Sequence, residues 1–131
     1  AYAPFVSEGF VQSGYDYPKL TFSGEELQAV KSVFPARNSI NRMATETHFR
    51  KSFTKQALIH LSTHAILDPD NPLRTKLLFN TANDDYEFHF FELLGVKLNA
   101  PLVVLNACNT GLGKIQPGEG VLIPTPSYSG F

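Results

Sequence analysis

The chain has 131 residues, 43% of them hydrophobic and 18% charged, which suits one domain with a real core and argues against disorder. A formal net charge of −1, with Lys and Arg scattered rather than striped, argues against nucleic acid or a membrane surface as a direct partner. One cysteine makes no internal disulfide, which fits a reducing, cytoplasmic setting and leaves Cys108 as a free thiol to be explained.

No apolar run approaches the roughly 18 residues that span a bilayer, and the start AYAPFVSEGF lacks the basic segment of a signal peptide. The opening on Ala1 rather than Met reads as a piece of something longer. AYAPFV predicts a first strand, and SEGFVQSGYDYPK, rich in Gly, Ser and Tyr, a loop. SGEELQAVKSVF predicts a helix: Ser23 as N-cap, Glu25 and Glu26 in the first turn, and Leu27, Val30, Val33 and Phe34 on one apolar face. NSINRMATETHFRKSFTKQ predicts a short strand and a second helix capped near Thr45 or Thr47, with Phe49 and Phe53 on one side and His48 on the exposed side.

ALIHLST and PLVVLNA are short, β-rich and apolar on both parities, the pattern of strands covered on both faces of a parallel sheet. Between them, KLLFNTANDDYEFHFF predicts a hairpin and FELLGVKL a short helix. The order of elements predicts an α/β sandwich around a mostly parallel sheet. Sites in such sheets form at the carboxyl ends of strands, and His64 and Cys108 are expected just beyond two of them.

Cys108 is followed by the polar turn Asn109-Thr110-Gly111, which favours a sulfur facing a crevice over one facing the core. His64 leaves its apolar run in the same way, before Asp68-Pro69-Asp70. His60 and His89 lie inside strand-like runs and read as satisfied, partly buried imidazoles. A thiol needs a base, because only the thiolate attacks well and its ordinary pKa is about 8.5. An imidazole fits that task and can then protonate an amine leaving group.

No metal or cofactor is expected. On an extended strand His60 and His64 stand roughly 13 Å apart, too far for one zinc, and Leu61-Ser62-Thr63 lacks the Glu of a helical HExxH. GLGKIQPGEG lacks the phosphate-loop pattern, since Gly113-Lys114 is followed by Ile115. A nucleotide-binding domain is therefore disfavoured.

IHLSTHA followed by LVVLNACNTGLGKIQPGEG resembles the paired signatures of the CHAT domain, a bacterial relative of caspases and separase within the caspase-like cysteine peptidases. In that family a first strand ends in Thr-His and a second in Ala-Cys, followed by an acidic or amide residue, Thr-Gly and a later Gly-Glu-Gly. Here these are Thr63-His64, Ala107-Cys108, Asn109-Thr110-Gly111 and Gly118-Glu119-Gly120, and the likeness covers about Pro18 to Gly120.

The resemblance implies a caspase-like three-layer sandwich, a mostly parallel sheet flanked by helices, in one peptidase domain over residues 1–131. It implies a cysteine endopeptidase that works through a thioester, with His64 as general base and acid, Cys108 as nucleophile, and the backbone N–H groups of Ala65 and Cys108 as the oxyanion hole. The substrate would be a protein, and a regulatory region such as tetratricopeptide repeats, or another chain, would control the site. The alternative is a catalytically silent CHAT-like module acting through interactions. The family continues with a helix and further strands, whereas this chain has VLIPTPSYSGF, where Pro124 and Pro126 oppose a helix. The domain therefore reads as incomplete at its carboxyl end, leaving the edge of the PLVVLNA strand to be covered.

Overall fold

Two runs, LIHLSTHAI and LVVLNACN, form the longest strands among the described residues and lie side by side in parallel. The computed structural model describes residues 1–12, 14–80, 86–109 and 121–124, and for residues 10, 12, 108, 109 and 121–124 the backbone alone. In chain order the elements are β1 (Tyr2–Ala3), β2 (Phe10–Gln12), β3 (Tyr15–Tyr17), α1 (Ser23–Val33), β4 (Ser39–Ile40), α2 (Glu46–Ser52), β5 (Leu58–Ile66), β6 (Lys76–Leu78), β7 (Glu87–His89), β8 (Leu102–Asn109) and β9 (Val121–Pro124). Short 3₁₀ turns at Asn41–Met43, Phe53–Lys55, Pro72–Arg74 and Phe90–Leu93 link them.

β5 is the centre of a seven-stranded sheet. On one edge it pairs in parallel with β8 along eight residues, Leu58 with Leu102 through Ala65 with Asn109. On the other edge it meets β1 in parallel at Leu61, and its last residues pair antiparallel with β6. β4 extends the β1 edge in parallel, β7 extends β6 antiparallel, and β9 lies antiparallel on β8. The expected mostly parallel sheet is thus a mixed one, in an α/β fold. β7 and β9 each follow the preceding strand after fewer residues than the dozen or more that a parallel crossover takes, so they pair antiparallel.

Alternation along β5 sorts two environments. Ile59, Leu61 and Ala65 join the larger core cluster with Phe49 and Phe53 of α2 and its following turn, and with Phe79 and Phe88. Those rings pack edge-on and stacked at centroid distances of 5.0–5.6 Å, so the predicted Phe49–Phe53 face is real and buried. Thr45 caps α2 by accepting the N–H of His48, as one of the two expected caps. The even positions His60, Ser62 and His64 belong to the other face, where Glu26 of α1 reaches His60.

Three readings of the sequence change. SEGFVQSGYDYPK is a hairpin, β2 with β3, rather than a loop; Gly14 takes a φ of 80° at its turn, a conformation open to glycine. Ser23 is the first helical residue of α1, not its cap, and its hydroxyl donates back to Leu20 O. Val33 and Phe34 are exposed; the buried residues of α1, Ser23 and Leu27, and Glu26, which reaches Asn106 and His60, all lie in its first half. The tail also supplies a strand: β9 covers β8 from Leu102 to Leu105, so that part of the edge is closed by the chain itself.

Candidate active site

His64 and Cys108 are register partners. Their Cα atoms face each other across β5 and β8, on strands that run about 4.8 Å apart. Neither lies beyond a strand end as expected. β5 continues to Ile66 because Ala65 and Ile66 still find partners in β6, and β8 continues to Asn109 along β5. Ala65 stands between Leu77 and Asn109 in the ladder and is buried. The Cys108 side chain, Thr110-Gly111 and Gly118-Glu119-Gly120 lie outside the described residues.

The His64 ring is only 1% exposed, not open to a crevice. The chain before the hairpin and the hairpin's second strand close over the ring: Phe5 lies 5.0 Å and Tyr17 5.7 Å away between ring centroids. Its Nε2 is 2.6 Å from the carbonyl oxygen of Pro18. A carbonyl only accepts, so Nε2 carries the hydrogen, and in the neutral ring Nδ1 holds the lone pair. Among the described residues that Nδ1 has no hydrogen-bond partner. Burial pushes the His64 pKa below its ordinary 6.5, and the Pro18 bond opposes the shift without reversing it. The arrangement therefore holds a neutral, oriented imidazole with an unoccupied basic nitrogen.

Pro18 could not have been found from sequence, since a backbone carbonyl leaves no side-chain signature. A second cluster was also missed. Glu26 of α1 accepts both hydrogen bonds from Asn106 Nδ2, at 3.1 and 3.0 Å, and lies 3.1 Å from His60 Nε2 without the alignment of a hydrogen bond. It ties one helix to both central strands, two residues before Cys108 and four before His64. His60 is 5% exposed, more buried than expected, and its Nε2 has no hydrogen-bond partner among the described residues, so it is not the satisfied imidazole the strand suggested; burial lowers its pKa, with Glu26 opposing. His89 is half-buried beside Glu87 and Glu92.

Asp68 accepts the N–H groups of Asp70 and Asn71 and so shapes its own turn, and Asp70 is exposed. Asp84 and Asp85 lie outside the described residues. Among the described residues no helix is long and apolar enough to cross a membrane.

No curated protein and no solved structure matches the chain. The sequence model of the CHAT domain matches residues 7–124, nearly all of it. That family is related to the caspase-like cysteine peptidases. With the Thr63-His64 and Ala107-Cys108 strands paired in register, the chain belongs to the CHAT-domain family.

Proposed function

We propose that the chain is a cysteine endopeptidase in which Cys108 attacks a peptide carbonyl and His64 Nδ1 takes the thiol proton. The register of His64 with Cys108 carries this reading. Cys108 shares its strand parity with Asn106, the residue that bonds to α1 on the His64 face. By the family's pattern the N–H groups of Ala65 and Cys108 would hold the oxyanion, and Ala65, buried between Leu77 and Asn109 in the ladder, would have to be released from its partners there to do so. His64 then gives its proton to the departing amine, and water attacks the thioester to release the second product. Pro18 replaces the carboxylate of a triad as the group that fixes the tautomer, with a dipole in place of a charge.

The fold reading that goes with this is the caspase-like three-layer sandwich, supported by α1 contacting the even face of β5 and α2 the odd one. A protein substrate and a bacterial cytoplasmic setting belong to the same reading. A regulatory region, such as a tetratricopeptide array or another chain, is supported by the closure over His64 and by Phe22, Val33 and Met43, each at least 70% exposed. The closure also favours a second reading, a catalytically silent interaction module. A peptide library incubated with the wild-type chain and with Cys108→Ala separates the two: products with the wild type alone support the peptidase, and products with neither support the silent module.

A further inference from the structure

Beyond His64, β5 runs into a cleft of about 540 Å³. Ile66, Pro69 and Phe91 give it an apolar wall, and Arg74, Lys76 and His89 give it a polar one. These polar groups differ in how far they are already engaged. Lys76 Nζ lies 2.9 Å from Glu87, and His89 stands between Glu92 at 3.4 Å and Glu87 at 3.9 Å. Among the described residues the acid that lines it is Asp68, whose Oδ1 accepts the N–H groups of its own turn. Arg74 is exposed and has no carboxylate partner among the described residues.

A guanidinium with no described carboxylate partner beside an apolar wall is complementary to a carboxylate on an otherwise apolar segment, because its planar fork matches both oxygens. The sheet sets where such a group would come from. β5 lies between β8 and β6, so the step from the Cys108 strand to the Lys76 strand is two strand spacings, about 10 Å. An extended peptide covers that in about three residues.

We propose that this cleft is a subsite for an Asp or Glu side chain of a peptide lying across the His64–Cys108 strand ends, within about three residues of the scissile bond, with Arg74 as its counter-ion. The proposal rests on the peptidase reading for its geometry.

The test is binding to the full chain carrying Cys108→Ala, so that nothing is cleaved. The probes are fluorescent ten-residue peptides of Ala, Leu and Phe with one Asp, or its neutral isostere Asn, scanned through the positions. An Asp peptide at one or two positions should bind about fivefold more tightly than its Asn twin, the scale of a partly solvated ion pair. The difference should vanish in Arg74→Gln, and in Arg74→Glu the matching Lys peptide should bind best. Arg74 is exposed, so these variants should keep the circular dichroism of the parent. Equal binding of Asp and Asn peptides, a preference that survives Arg74→Gln, or no binding of any peptide overturns the subsite. If acidic peptides bind through Arg74 but the wild-type chain cleaves none, the peptidase reading fails and the subsite stands. If the wild type cleaves peptides with no acidic preference, the reverse holds.

Discussion

His64 Nε2 and the carbonyl oxygen of Pro18 lie 2.6 Å apart although 46 positions separate them in the chain. That bond puts the imidazole hydrogen on one side and turns Nδ1 toward a position without a described partner. The hairpin that delivers Pro18 is therefore part of the candidate site rather than a decoration on it.

Gly9 tests the hairpin's role. A Cβ on Gly9 would stand 1.9 Å from Tyr17 O and 2.8 Å from the Pro18 backbone, so Gly9→Ala must push β3 and Pro18 away from β2. Peptidase activity should fall at least tenfold, the scale of a misplaced catalytic group. The aromatic core around Phe49 is remote in sequence and should keep its thermal transition within a few degrees. Unchanged turnover in Gly9→Ala would show that Pro18 does not orient His64.

The two buried histidines set a pH window. His60 and His64 both have folded pKa values below their ordinary 6.5, in each case chiefly through burial. Between the folded and the unfolded value the unfolded chain binds more protons, so the stability these two histidines contribute is full above about pH 6.5 and is lost as pH falls below it, while the Ala1 amine, also lowered by burial, begins its own loss below its ordinary 8.0. Glu92, held low by Arg50, adds its own loss only below its ordinary 4.5. Urea unfolding at pH 7.5 and 5.5 should show lower stability at 5.5, and a smaller drop in His64→Gln. The same shift keeps His64 a neutral base below pH 6.5, so the acid limb of turnover should also lie below that value.

Glu26 links α1 to β5 and β8 through His60 and Asn106. Glu26→Ala should cost about 1–3 kcal/mol, since it leaves the Asn106 amide without its acceptor. Glu26→Gln keeps an acceptor and should cost less. Equilibrium denaturation of the two variants gives the comparison, and equal losses would mean that the charge near His60, not the Asn106 bond, is what matters.

Phe79 is fully buried, in contact with Tyr2 and stacked 5.0 Å from Phe49. Phe79→Ala should cost about 3–5 kcal/mol through the cavity it opens. A loss under about 1 kcal/mol would mean that the α2 side of the sheet collapses into the space, in conflict with the close packing of its rings.

The central strands were legible because their signal is local. ALIHLST and PLVVLNA are apolar on both parities, the pattern of a strand covered on both sides, and their Thr-His and Ala-Cys pairs fall in register with each other. What the sequence hid depends on long-range pairing. The β2–β3 hairpin has a single turn glycine at Gly14 amid polar residues, so a loop was the natural reading of SEGFVQSGYDYPK. β5 overran its predicted end because Leu77 and Lys76, more than ten residues on, offered it partners. The burial of His64 depends on Phe5, Tyr17 and Pro18, none of them near it in sequence. Periodicity reports which residues face a core, not which segment closes over them.

The central claim is that Cys108 is a nucleophile served by His64. Its most direct test is the rate at which a peptidyl chloromethyl ketone alkylates the full chain, followed by intact mass and peptide mapping, in the wild type and in His64→Ala. The adduct should form on Cys108, and His64→Ala should slow it by about a hundredfold, the lower end of what general-base assistance contributes. Both proteins should react equally with iodoacetamide once unfolded. Equal rates in the folded wild type and His64→Ala, or no folded-state adduct on a Cys108 that labels readily when unfolded, would contradict the account.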